Sequence, residues 1–452
     1  LIALAGVMAC PPAKAQNEAL IRDDEIERML KGWIRPVIIA DGLDPNAVKI
    51  ILVQSPEINA FVAGGQNIFI YTGLLLKSDN ASEIVAVMSH ELGHIAGGHL
   101  IRGAEEMQDA SFESLLGTVL GLGAAVAGGS SGTGIGVAGA SSSMAMRNYL
   151  AFSRVQESSA DQAALSGMRK ARYNPSGMIT FLQKMQGQEL LPASQQDEYI
   201  QTHPLTPERI DALKNGVSQS PYRDSPEPAS WADQHARMRA KLIGFINPEQ
   251  VAWDYPDHDQ SIPARYARAI AAYRQNHVEE ALKGADGLLQ SEPGNPWFME
   301  LKGQMLVDFG RVRDSLPYYR KSISILPDSG LIRIAYGSAL VESADDAERA
   351  QILEGAQQLE RATQDEPRSI QAQHELATAY GRLGNEPLAK LHVAEEAFLK
   401  GDRKFARQQA NEAMMGLKPG TSGWLKDRDL IAQLDQQPDH DSHRGIAMPM
   451  TE

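Results

Sequence analysis

At 452 residues, 43% apolar and 22% charged, the chain has the composition of a water-soluble protein and is too long for one ordinary core, so two or three domains are expected. A net charge of −14 excludes the usual basic nucleic-acid binder, because phosphates would be repelled. With Cys10 as the single cysteine, no disulfide can form within the chain.

The opening "LIALAGVMACPPAKAQ" reads as the tail of an apolar signal core followed by the small-x-small cleavage pattern Ala13-Lys14-Ala15. Residues 1–15 are therefore expected to be a signal-peptide remnant, and the protein to be exported to the periplasm. A short anchoring helix is the alternative, although the run is too short to span a bilayer. Val7-Met8-Ala9-Cys10 also resembles a lipoprotein processing box, which makes Cys10 a candidate lipid anchor.

A first domain is expected over residues 17–247. Acidic residues early, and apolar ones at Leu20, Ile26, Leu30 and Ile34, predict a helix over 17–41. "VKIILVQ", "NAFVAGG" and "NIFIYTG" follow as strands, the last two forming a hairpin about Gly64-Gly65. Asn80-Ala81-Ser82-Glu83 is a capping box that opens the helix carrying "VMSHELGHIAGGHLIRG". Residues 114–146 are rich in Gly, Ala and Ser; a mobile helix–loop–helix over the cleft is expected, with peripheral membrane or substrate contact as the alternative. A Pro/Ser-rich surface loop comes after Pro204, and a linker is placed at 248–263.

The second half repeats. Pro293 and Pro327 stand 34 residues apart, as do Gly303 and Gly337, and Ala377 holds the matching place after Pro367. Ala281 stands twelve residues before Pro293, and Ala389 twelve after Ala377. A 34-residue period with small residues at helix crossings and a closing proline is the tetratricopeptide signature, here over 264–434, with about six extra residues near "ESADDAERA". Residues 435–452 read as a disordered tail.

Chemistry concentrates in the His-Glu-x-x-His of the quoted helix. His90 and His94, one turn apart, share a face and can both point at one ion; Glu91, about 100° away, can reach a water beside it as base. His374-Glu375 begins the same pattern but ends in Thr378, and reads as surface or packing. On an unbroken helix His99 projects from the side opposite His90, so it is expected to be a polar residue on the back face; the alternative is that Gly97-Gly98 break the helix early and make His99 a ligand candidate. Downstream, Glu157 and Asp161 share a face: Glu157 as third ligand, Asp161 to accept a hydrogen bond from a ligand imidazole. Beside Arg147 and Arg154 the same two carboxylates could instead form a solvated ion-pair face.

"SHELGH", then "ESSAD", then "THPLTPERI", with "EINAFVAGGQNIFIYTGLL" upstream, resembles the gluzincin metallopeptidases of the HtpX and CAAX-prenyl-endopeptidase type. The resemblance implies one zinc ion per chain on His90, His94 and Glu157, Glu91 as base, and Asp161 as orienter. By the same resemblance His203 sits near the zinc and can occupy its open position until substrate displaces it. Arg209 completes that segment, either to stabilise an oxyanion or to pair with a carboxylate. "NIFIYTG" is expected to be an open sheet edge that pairs with extended substrate, giving Asn59, Ala60, Phe61, Ile68, Phe69 and Ile70 as substrate-binding candidates. The fold class is mostly α with a small sheet: an α+β gluzincin peptidase domain, then an all-α tetratricopeptide domain. By the same resemblance, an exported catalytic domain followed by such repeats implies an endopeptidase for misassembled outer-membrane proteins, recruited to unfolded substrates or to the outer-membrane assembly machinery by the repeats. The other reading is a chaperone-like adaptor with a latched site.

Overall fold

The computed structural model describes residues 19–99, 154–187 and 196–436. The expectations for the leader, Cys10, the Gly/Ala/Ser segment and the tail beyond 436 lie outside the described residues, while the helix Ser422–Gln436 takes in the first two residues of the expected tail. The chain divides between Leu242 and Ile243 into two units.

In the first unit a sheet of four strands has the order β1 (Ala19–Ile21), β2 (Lys49–Gln54), β4 (Asn67–Tyr71), β3 (Ala60–Ala63). The hairpin about Gly64-Gly65 forms, with Phe61 opposite Phe69 and their rings stacked at 4.9 Å. The expected open edge does not. β4 also pairs in parallel with β2, Ile50 opposite Ile68 and Leu52 opposite Ile70, so ladders occupy it on both sides. Ile68, Phe69 and Ile70 are therefore interior and buried, and the edge on that side is β3. Alternation explains why both faces of β4 are apolar: Phe69 and Tyr71 join Val53, Phe61 and Ala63 in one cluster, while Ile68 and Ile70 face the other way.

The expected first helix is shorter than its pattern. Residues 19–21 enter the sheet, and α1 (Asp24–Ala40) starts where the Asp23 carboxylate accepts from the Ile26 amide at 2.9 Å. Its stripe of Ile26, Leu30, Trp33, Ile34, Val37 and Ile38 is buried. α2 (Thr72–Lys77) then leads into α3 (Ala81–Ala96). Beyond come α4 (Arg154–Lys170), α5 (Ser176–Gln186), α6 (Glu198–Thr202) and α7 (Pro207–Ser218). α8 (Ala229–Ile246) runs across the division.

In the second unit, ten described helices from Ile262 to Gln436 follow one another, each packed on the next. The 34-residue period has a physical basis in capping. Two residues after each repeat proline stands a cap: Asn295 for Pro296–Asp308, Ser329 for Gly330–Ser343, Ser369 for Ile370–Arg382, each accepting from an amide of the first turn. The glycines mark the crossings. A Cβ on Gly303 would lie 2.9 Å from the Tyr319 ring, and one on Gly337 2.7 Å from Leu359 Cγ. The six extra residues between Pro327 and Pro367 are distributed: one in the first helix, two in the loop, three in Arg349–Asp365. His374 is exposed and its Nδ1 lies 3.2 Å from Glu396 Oε2, as a surface residue should. Part of the stretch expected as linker is helical, over Pro248–Gln250 and Val251–Asp254. No helix among the described residues is long and apolar enough to cross a membrane.

Candidate metal centre

The helix bearing the motif is fixed at its start. The Asn80 side chain accepts from the Glu83 amide at 3.1 Å, and Glu83 Oε2 accepts from the Asp79 amide at 3.0 Å, so the capping box closes one residue earlier than its usual form. α3 is buried along its length from Glu83 to His94. α4 packs directly on it, and Gly93 permits the approach: a Cβ there would stand 2.6 Å from the Ala160 carbonyl oxygen. The residue between the motif's Leu92 and His94 thus sets the distance at which α4 delivers its carboxylates.

That distance places Glu157 against both imidazoles. His90 Nε2 and His94 Nε2 lie 3.1 Å apart, and the Glu157 oxygens lie 3.4 Å from the first and 3.3 Å from the second. Bonds of about 2.0–2.1 Å to a tetrahedral ion would give edges of about 3.3 Å between ligand atoms. His203, at the end of α6, joins them: ligand atoms of His90, His94, Glu157 and His203 all fall within 4.8 Å of one another, and all four residues are buried. Two imidazoles presenting Nε2 to each other and to a carboxylate, shielded from water, make a donor set that suits a four-coordinate metal ion.

The residues around this set hold it in place. Asp161 Oδ1 lies 2.9 Å from His90 Nδ1, the position expected of an orienting carboxylate. The Arg209 guanidinium donates to both Asp161 oxygens, Nε to Oδ2 at 2.8 Å and Nη2 to Oδ1 at 3.0 Å, while Nη1 pairs with Glu157 Oε2 at 2.6 Å. Of the two roles open to Arg209, its geometry is that of the carboxylate partner. Glu157 and Asp161 are buried, not on a solvated ion-pair face. His203 Nδ1 contacts Glu157 Oε1 at 3.0 Å, and its ring stacks obliquely on Tyr199 with centroids 4.6 Å apart.

Charge is arranged asymmetrically. Burial opposes protonation of His90, but Glu157 and the Asp161 hydrogen bond outweigh it and raise its pKa to about 10. For His94 burial wins, and the value falls to about 3. Burial alone would raise Glu157 and Asp161; His203 and His90 hold the first below the usual carboxylate range, and His90 and Arg209 the second. Glu91 behaves oppositely. Burial lifts it to about 7 against the pull of His203 and His90, and both its oxygens are buried without a hydrogen-bond partner, the nearest imidazole nitrogen being His203 Nε2 at 3.5 Å.

His99 is where sequence reasoning went astray. α3 ends at Ala96, the chain turns through Gly97 and a left-handed Gly98 (φ 61°), and the buried His99 ring folds back so that its Nδ1 lies 2.9 Å from His94 Nδ1. The two glycines end the helix, so a rotation counted along an unbroken one does not reach His99. Tyr199 was also missed, and no pattern in the sequence marks it. Among the substrate-binding candidates, Ala60 and Phe61 lie on edge strand β3, and Asn59 just before it donates to Glu198 Oε2 of α6 at 3.3 Å.

Residues 21–217 match the family model "Peptidase family M48". The beta-barrel assembly-enhancing protease of Escherichia coli (strain K12) is 26% identical over 321 residues, covering 68% of this chain and 64% of that protein. The chain thus matches less than two thirds of that relative's length. Metalloprotease LoiP of the same organism is 29% identical over 182 residues, 40% of this chain and 67% of its own. Among solved structures, the TPR protein YrrB covers 39% of this chain and 91% of its own at 17% identity and a TM-score of 0.33.

Proposed function

We propose, from the premise that residues 21–217 form a domain of peptidase family M48, that the chain is a zinc-dependent endopeptidase acting on misfolded or misassembled proteins of the bacterial envelope. The observation that carries this reading is the buried convergence of His90, His94, Glu157 and His203 beside a Glu91 carboxylate that has no hydrogen-bond partner. Zinc held there by His90, His94 and Glu157, one ion per chain, would acidify a water from a pKa of about 15.7 towards about 7 and polarise the scissile carbonyl.

The chain's own residues supply the rest. Glu91, whose two buried oxygens have no hydrogen-bond partner, accepts the water's proton and returns it to the leaving amine. Asp161 fixes the His90 ring, and Arg209 fixes Asp161 and Glu157. Arg209 therefore acts by holding ligands, and His203 is the donor left to face a developing oxyanion. Substrate in extended form would add to β3 along Ala60 and Phe61, reading backbone more than sequence. Residues 17–247 would cut, and the helix pairs of 264–434 would recruit unfolded substrate or outer-membrane assembly machinery in the periplasm. The name of the Escherichia coli relative supports that setting.

Removing metal tests this. Treating the full chain with a chelator should abolish cleavage of an unfolded protein, and equimolar zinc should restore it; cleavage that persists in the metal-free protein contradicts the reading.

One observation favours a second reading, the latched adaptor. His203 is fully buried and bonded to Glu157, so it would have to leave before substrate could reach the site. On that reading the Glu91→Gln protein still supports outer-membrane assembly and a protein lacking 264–434 does not.

A further inference from the structure

We infer that His99 is a positioning residue for the metal centre: its imidazole accepts a hydrogen bond from His94 Nδ1–H and so holds the His94 Nε2 lone pair on the ion. The inference rests on the metal-centre reading above and adds to it a residue outside the four that converge.

A histidine that ligates through Nε2 must carry its proton on Nδ1, and that proton needs an acceptor in a buried site. For His90 the acceptor is Asp161, 2.9 Å away. For His94 the group at that position is His99 Nδ1, also at 2.9 Å, and both rings are buried. His99 can accept there only as the tautomer protonated on Nε2, which makes the pair directional. The chain is built for this contact. A left-handed Gly98 turns it back, and Gly97 leaves the space the ring fills: a Cβ at 97 would stand 2.4 Å from His99 Nε2. Gly97 itself is in the right-handed helical region, so the backbone does not need glycine there; the ring does. The two ligand imidazoles are thus oriented differently, one by an anion and one by a neutral ring. A neutral acceptor fixes the tautomer without adding a second negative charge to a pocket that already holds Glu91, Glu157 and Asp161.

Zinc affinity of the full chain, measured by competition with a chromogenic chelator, tests the inference together with the melting of each metal-free protein. His99→Leu removes the acceptor and should weaken zinc binding about 10–100-fold. His99→Asn, whose side-chain oxygen can take the place of Nδ1, should bind within about threefold of the unaltered protein. Gly97→Ala keeps the histidine but displaces its ring, and should weaken binding like His99→Leu; it serves as well if the leucine variant fails to fold. Unchanged affinity in His99→Leu, or equal losses in the Leu and Asn variants with none in Gly97→Ala, overturns the inference, since packing alone would then explain the residue. Absence of zinc binding by the unaltered chain would instead overturn the metal-centre reading beneath it.

Discussion

Glu91→Gln is expected to lower turnover about 10²–10⁴-fold while the protein still binds one zinc, because the substitution removes a base and no ligand. Glutamine keeps the shape and size of the side chain, so α3 has no reason to move. What it loses is the ability to hold a proton. In the unaltered protein both Glu91 oxygens are buried with no hydrogen-bond partner, so their lone pairs are available to a water beside the ligand cluster. Four other residues make the cluster of ligand atoms, and Glu91 is not among them. Steady-state cleavage of an unfolded protein, with zinc measured on the same sample, checks both halves. Cleavage at the original rate by the glutamine variant would show that some other group moves the proton.

Arg209→Met is expected to cost about 3–5 kcal/mol of stability, among the largest effects of any single change in the first unit. The guanidinium is nearly inaccessible and serves two buried carboxylates at once, both oxygens of Asp161 and one of Glu157. Removing it leaves the two carboxylates to the His90 and His203 imidazoles alone, with part of their hydrogen bonding lost, and that is costlier than losing the contacts themselves. For a unit of this size the loss corresponds to a fall in melting temperature of about 6–20 °C. Arg209→Lys should recover only part of it, since a single ammonium cannot reproduce a planar fork that spans Asp161. Melting of the metal-free protein followed by circular dichroism decides this. A methionine variant within about 1 kcal/mol of the unaltered protein would mean that water already solvates the two carboxylates.

The parts legible in the sequence are those set by local chemistry. Asn80 and Glu83 announce the start of α3, and a spacing of four then puts His90 and His94 on one face wherever the helix lies. The repeat half is legible because each turn of the pattern carries its own cap, and the glycines fall where helices touch. Failures arise where distant segments decide. β4 reads as half of a hairpin, which it is, but its parallel pairing with β2 is a non-local choice that no alternation reveals. Asp23 caps α1, and giving it that weight would start the first helix at the right place. His99 was misplaced although Gly97-Gly98 was in view, because a helical projection has no term for where a helix stops. Glu157 and Asp161 are an intermediate case. Their spacing is common, and Gly93, which lets α4 come close enough to use them, is visible as a glycine but not as a contact.

An anomalous-scattering map at the zinc edge, from crystals of the full chain, is the most direct measurement. The account predicts one strong peak within about 2.0–2.2 Å of His90 Nε2, His94 Nε2 and a Glu157 oxygen. A peak elsewhere, or a zinc-saturated crystal with none at these three residues, would contradict it.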